Sequence, residues 1–129
     1  MAEVAEDCSV KAMIYLVIIE KLTPEGKKNI QEVLKWQKRL DEWLMSHGAT
    51  WKSVKHYVTA IGEPAYETWL EYPNYAAFDE DQERAKRFST NPEWQKLISQ
   101  ANQFFERVNS KVVKEIGTGL ETTDSEIEA

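Results

Sequence analysis

His56 is the side chain best placed by type and setting to move a proton. It lies in "WKSVKHYVTAIG", between Val54 and Val58 and on their side of an extended backbone. An imidazole with an ordinary pKa of about 6.5 suits general acid–base work. The same position suits a buried histidine held by hydrogen bonds, so both roles stay open. His47 falls near the end of a helical segment, where a cation complements the helix dipole. Tyr57, Trp69, Tyr72 and Trp43 are the aromatics that could hold a planar, apolar ligand. The chain has five tryptophans, Trp36, Trp43, Trp51, Trp69 and Trp94, enough for an aromatic pocket or for core and interface packing. One pleat of the expected hairpin carries Lys55, Tyr57 and Thr59, with Glu67, Trp69 and Glu71 on the facing strand. Cross-strand pairs Lys55–Glu71 and Tyr57–Trp69 are expected there, lining a lumen or packing an interface.

Other chemistries have little to stand on. Two histidines and one cysteine, Cys8, show no HxxxH or CxxC spacing, so no metal centre is expected. The sequence lacks GxGxxG, P-loop and GxSxG motifs, which argues against nucleotide binding and triad hydrolysis. No cofactor is expected. A single cysteine permits no internal disulfide. The acidic "MAEVAEDCSV" is unlike a secretory signal, and the longest apolar run, "AMIYLVII", is too short to span a bilayer. A cytoplasmic protein without membrane association is expected. With a formal net charge of -6 and a pI near 5.0, nucleic acid is not an expected partner.

The elements that must position these residues are read from periodicity. "MIYLVIIEKL", Met13 to Leu22, is β-branched and apolar on both sides, as in a strand buried on both faces. Thr23 and Pro24 start a helix that runs to about His47 and stops at Gly48. Its apolar positions are Ile30, Val33, Leu34, Leu40, Trp43 and Leu44, with Trp36 on the shoulder. Trp51–Gly62 and "AYETWLEY" form a hairpin of strands. Asn74 caps a helix from about Tyr75 to Arg87, with Tyr75, Phe78, Gln82 and Ala85 on one side. A further helix starts either from Thr90 with Glu93 or from Asn91 with Pro92, and carries Trp94, Leu97, Ile98, Ala101, Phe104, Phe105 and Val108. "SKVVKEIG" closes the fold as a short strand. Residues 1–11 read as a flexible segment and 118–129 as a disordered acidic tail.

The order β-α-β-β-α-β, with the second helix split in two, is the ferredoxin-like split βαβ arrangement: α+β, four antiparallel strands, helices on one face. Such a layout leaves one sheet face bare. The first strand is apolar on both sides, Ile14, Leu16 and Ile18 on one and Tyr15, Val17 and Ile19 on the other. Two copies packing these faces together would form a homodimer, since buried apolar area is worth roughly 25 cal/mol per Å².

The chain resembles the dimeric α/β-barrel superfamily, in which two ferredoxin-like subunits close their sheets into one barrel. "HYVTAIGEPAYETWLEYPNYAAFDEDQERAK" is similar to the NIPSNAP family: strand, glycine turn, a strand ending in a Trp-Glu-Tyr-like element, then a helix with an arginine. Gly62, Trp69, Glu71, Tyr72 and Arg84 fall into those roles, with Leu70 interrupting the tripeptide. The resemblance implies a domain over residues 12–117, a homodimer or higher even oligomer, and a small-molecule pocket between sheet and helices. It also implies candidate activities: a cofactor-independent oxygenase or isomerase acting on a planar apolar compound with His56 as acid–base. A non-catalytic structural or interaction dimer is the alternative, and a haem-binding relative using His56 or His47 as axial ligand is a third.

Overall fold

The computed structural model describes residues 13–116. The expected segments 1–11 and 118–129, and Cys8, lie outside the described residues. Strands β1 (Ile14–Leu22), β2 (Ser53–Val58), β3 (Tyr66–Tyr72) and β4 (Phe105–Lys114) form one antiparallel sheet in the order β2-β3-β1-β4. Helices α1 (Pro24–Lys28), α2 (Ile30–Ser46), α3 (Tyr75–Ala85) and α4 (Pro92–Phe104) supply the second layer, with a 3₁₀ turn at Lys86–Thr90 before α4. This is the ferredoxin-like arrangement.

The core between the layers is aromatic. Val33, Trp36 and Trp43 from α2 meet Phe88 and Leu97 on one side and Tyr66 and Phe105 on the other. Trp36 is central rather than on the shoulder of α2: its indole N–H donates to the Leu97 carbonyl at 3.0 Å, and its ring packs on Phe105. Leu34 is instead exposed. The wide apolar arc read from the sequence thus contains a narrower buried stripe through Val33, Trp36, Leu40 and Trp43.

Local chemistry departs from the sequence reading in two places. The expected single helix 24–47 is broken at Asn29, whose side-chain amide donates to the Glu25 carbonyl at 2.9 Å. An Asn side chain competes in this way for backbone groups that a helix would use. The last helix ends at Phe104, not near Val108, because Phe105, Glu106 and Arg107 pair with Leu22, Lys21 and Glu20 of β1. Sheet pairing there overrides helical spacing. Asn91, not Thr90, caps α4, its Oδ1 accepting from the Glu93 and Trp94 amides at 2.8 and 3.2 Å.

The turn from β1 into α1 is clamped against the end of α4. The Thr23 amide donates to the Phe104 carbonyl at 2.9 Å. A β-carbon on buried Gly26 would stand 2.5 Å from that same carbonyl oxygen. Gly26→Ala must therefore push backbone against backbone, and thermal unfolding should show a loss of about 1–3 kcal/mol. A variant as stable as the parent would mean that the turn shifts freely.

Candidate functional site

Strand pairing decides which residues share a face. His56 lies opposite Thr68, and Thr68 opposite Ile18. Val54, Leu70 and Leu16 form the next row, and Ile14 with Tyr72 a further one. His56 reaches Asp41 of α2, so this pleat faces the helices. Tyr66, Thr68, Leu70 and Tyr72, whose side the sequence leaves open, therefore join His56.

His56 is held at both ring nitrogens. Nε2 lies 2.7 Å from Asp41 Oδ2, and Nδ1 lies 2.9 Å from Thr68 Oγ1. A carboxylate only accepts, so in the neutral imidazole the proton sits on Nε2 and the lone pair on Nδ1, where the Thr68 hydroxyl donates. Asp41 Oδ1 also accepts from the Gln37 amide at 3.1 Å, and Gln37 Oε1 accepts from the Tyr66 hydroxyl at 2.9 Å. Burial, then the nearby Asp41 and Glu20 charges, pushes the Tyr66 phenol well above its ordinary value, so it stays a donor. The Tyr66 ring stacks beside the imidazole at 5.9 Å. The relay Tyr66–Gln37–Asp41–His56–Thr68 thus fixes the ring, its tautomer and its partner.

The His56 and Asp41 side chains keep 20% and 21% of their surface exposed. Beside them Leu16, Ile18, Val54 and Leu70 are only half-buried, although they lie at the middle of the helix-facing pleat. The aromatic core packs beyond one end of this row, and Ile14, Tyr72 and Phe78 pack at the other. The helical layer therefore leaves an apolar strip of sheet partly open next to a carboxylate-oriented histidine.

Tyr72 lies on the same pleat but four residues along β3 from Thr68, roughly 13 Å away. It is fully buried. Its hydroxyl donates to Asp81 Oδ2, and the other Asp81 oxygen takes a hydrogen bond from Arg84. Burial, then Asp81, pushes the Tyr72 phenol strongly upward. Arg84 also lies beside Gly48, where a β-carbon would meet the guanidinium at 3.6 Å and where φ is +86°. Tyr72 and Arg84 thus tie α3 to β3 and to the end of α2.

Trp69 and Tyr57 are on the opposite face, the one turned away from the helices. Their rings meet edge-on at 6.4 Å, but diagonally and not as the directly opposed pair expected, because Tyr57 lies opposite Glu67. With Tyr15, Ser53, Lys55 and Glu71 they line a shallow hollow of about 340 Å³. The expected Lys55–Glu71 pair does not form: Lys55 lies opposite Trp69, and Glu71 opposite Ser53. Glu71 accepts instead from the Ser53 hydroxyl at 2.9 Å and the Tyr15 hydroxyl at 3.3 Å. Trp43 stacks on His47 at 3.7 Å within the aromatic core, and His47 Nδ1 lies 2.7 Å from the Trp43 carbonyl at the end of α2. His56, Tyr57, Trp69, Tyr72 and Trp43 accordingly occupy four different places, only Tyr57 and Trp69 sharing one.

Asp41, Gln37 and Thr68 escape the sequence reading. The signal was present: Gln37 and Asp41 follow Val33 at steps of four, which puts two polar residues in line with the buried stripe of α2. Haem fits His56 poorly, since both of its ring nitrogens are engaged and an axial bond would break one of those contacts. Among the described residues no three His, Cys, Asp or Glu side chains converge as metal ligands.

Known proteins place the fold. No protein-family model matches the chain, and no curated protein does. Among solved structures, a NIPSNAP family protein of unknown function from Agrobacterium tumefaciens is 17% identical, covers 81% of this chain and 91% of its own, and superposes with a TM-score of 0.58. A dimeric ferredoxin-like protein from an uncultured marine organism is 13% identical, with coverage of 88% and 96% and a TM-score of 0.58. SnoaB, a cofactor-independent oxygenase from Streptomyces nogalater, is 9% identical, with coverage of 87% and 97% and a TM-score of 0.51. The ferredoxin-like fold and the likeness to NIPSNAP-like structures are thus as the sequence led one to expect.

Proposed function

We propose that the chain forms a homodimer that binds a small, planar, apolar compound between sheet and helices, with His56 as the acid–base group. The observation that carries this reading is the Asp41-oriented imidazole beside a half-open apolar strip. Fold neighbours that include a cofactor-independent oxygenase and a dimeric protein support it. Asp41 holds the proton on Nε2. Nδ1 is then the base, and it takes a substrate proton once the rotatable Thr68 hydroxyl turns aside. An oxygenase or isomerase acting on an activated C–H bond begins with that step. No membrane-crossing helix is found among the described residues.

The roles predict an order of effects. Asp41→Asn removes the anion that fixes the tautomer, and turnover should fall about 10²-fold or more. Thr68→Val removes only the competing donor, and turnover should hold or rise. Oxygen uptake and substrate isomerisation across a set of planar hydroxylated aromatics would measure both. If Thr68→Val and Asp41→Asn behave alike, His56 is not the base. A non-catalytic dimer is the second reading, favoured by the satisfaction of both imidazole nitrogens inside the protein. It predicts that His56→Ala changes stability and no activity.

A further inference from the structure

A second hollow, of about 340 Å³, opens where the end of β1, helix α1 and the β2–β3 turn come together. Its walls are apolar: Leu22, Val58, Pro64 and Ala65. Two cations line it as well, Lys21 from β1 and Lys27 from α1. Neither is in an ion pair among the described residues. Glu63 is the one acidic residue in the lining and lies beyond ion-pair distance of both, so the hollow is net cationic on a chain of net charge -6. Val58 in its wall is 61% exposed, and Ile61, in the turn that joins Val58 to the lining residues Glu63 and Pro64, is 96% exposed. Beside it the turn from β1 into α1 is tied down, the Thr23 hydroxyl accepting from the Gly26 amide at 3.0 Å and the Thr23 amide donating to the Phe104 carbonyl at 2.9 Å. The volume is at the lower end of ligand cavities, which span about 300–1,000 Å³.

We propose that this hollow binds a small amphipathic carboxylate, its apolar body against Leu22, Val58 and Pro64 and its anion between Lys21 and Lys27. Exposed apolar surface beside two lysines that make no ion pair among the described residues is what such a molecule satisfies together. The site is separate from His56 and does not depend on the role given to that residue. Octanoate is the probe, titrated calorimetrically into the full chain. It should bind, with affinity falling as salt rises, because the cations are exposed. Lys21→Met and Lys27→Met should each weaken it about tenfold, the size of one charged hydrogen bond. 1-Octanol, which keeps the chain but lacks the charge, should bind at least tenfold more weakly. Both lysines are exposed, so both variants should melt as the parent does, and His56→Ala should bind octanoate unchanged. No octanoate binding in the millimolar range would overturn the proposal, as would equal affinity for the parent and the double lysine variant.

Discussion

Tyr72→Ala should cost the fold about 3–5 kcal/mol, the usual range for emptying a fully buried large aromatic site. Tyr72 is buried completely, packs edge-on against Phe78 at 5.5 Å, and anchors Asp81, which in turn holds Arg84. Truncation removes the ring and leaves a part-buried carboxylate with one partner fewer. Against a total stability of about 5–15 kcal/mol for a small domain, that is enough to leave the variant near unfolding. Tyr72→Phe keeps the ring and should cost about 1–3 kcal/mol, isolating the hydroxyl. Trp69→Ala should cost less, about 1–2 kcal/mol within one chain, because that ring is half-buried on the open face. Urea unfolding of the three variants measures the order. Equal losses at Tyr72 and Trp69 would mean that the open face is as closely packed as the core.

Charging the open face should give two distinct outcomes. Val17 lies on that face, opposite Trp69 and Lys111, yet it is 0% exposed within a single chain. Val17→Glu puts an unpaired charge in a dry position and should abolish folding outright. Tyr57 is on the same face and 51% exposed. Tyr57→Glu should leave each chain folded while placing like charges near each other across a two-fold interface. The parent should run at twice the 15.0 kDa chain mass and Tyr57→Glu at the single-chain mass, by light scattering. Circular dichroism should show both folded. A Tyr57→Glu variant that keeps the parent's mass would mean the two sheets do not face each other.

Much of the architecture is written in local signals that tertiary contacts reinforce. The apolar first strand, Pro24 after Thr23, the hairpin ahead of Pro73 and the Asn74 cap each lead to the element they suggest. Two features depend on partners distant in sequence. Phe105 to Val108 continue a helical pattern, and only pairing with β1 turns them into strand. Lys55 and Glu71 look complementary until the register places Trp69 and Ser53 opposite them. The site divides in the same way. His56 is conspicuous as a histidine between valines. Asp41, which orients it, comes from a helix whose charged residues mostly face solvent, and only its phase with Val33 and Gln37 sets it apart. Alternation along the strand already parts Trp69 from Tyr72, three positions on, but which of the two faces meets the helices is decided only by register and by the contact of His56 with Asp41.

The strand order has a consequence for synthesis. β1 is made first of the four described strands, but one of its two neighbours, β4, is made last of the four, and Ile14 pairs with Lys114. Pairings between segments so distant in sequence are slow to close, since the loop entropy is spent before the contacts form. At about 5–20 residues per second, "IYLVIIEKL" waits several seconds on the ribosome with one edge unpaired and both faces apolar. That interval is when the nascent chain is most open to chaperones and to pairing with another copy of itself. Pausing translation between β3 and β4 should therefore raise the aggregated fraction more than a pause after β4 has emerged.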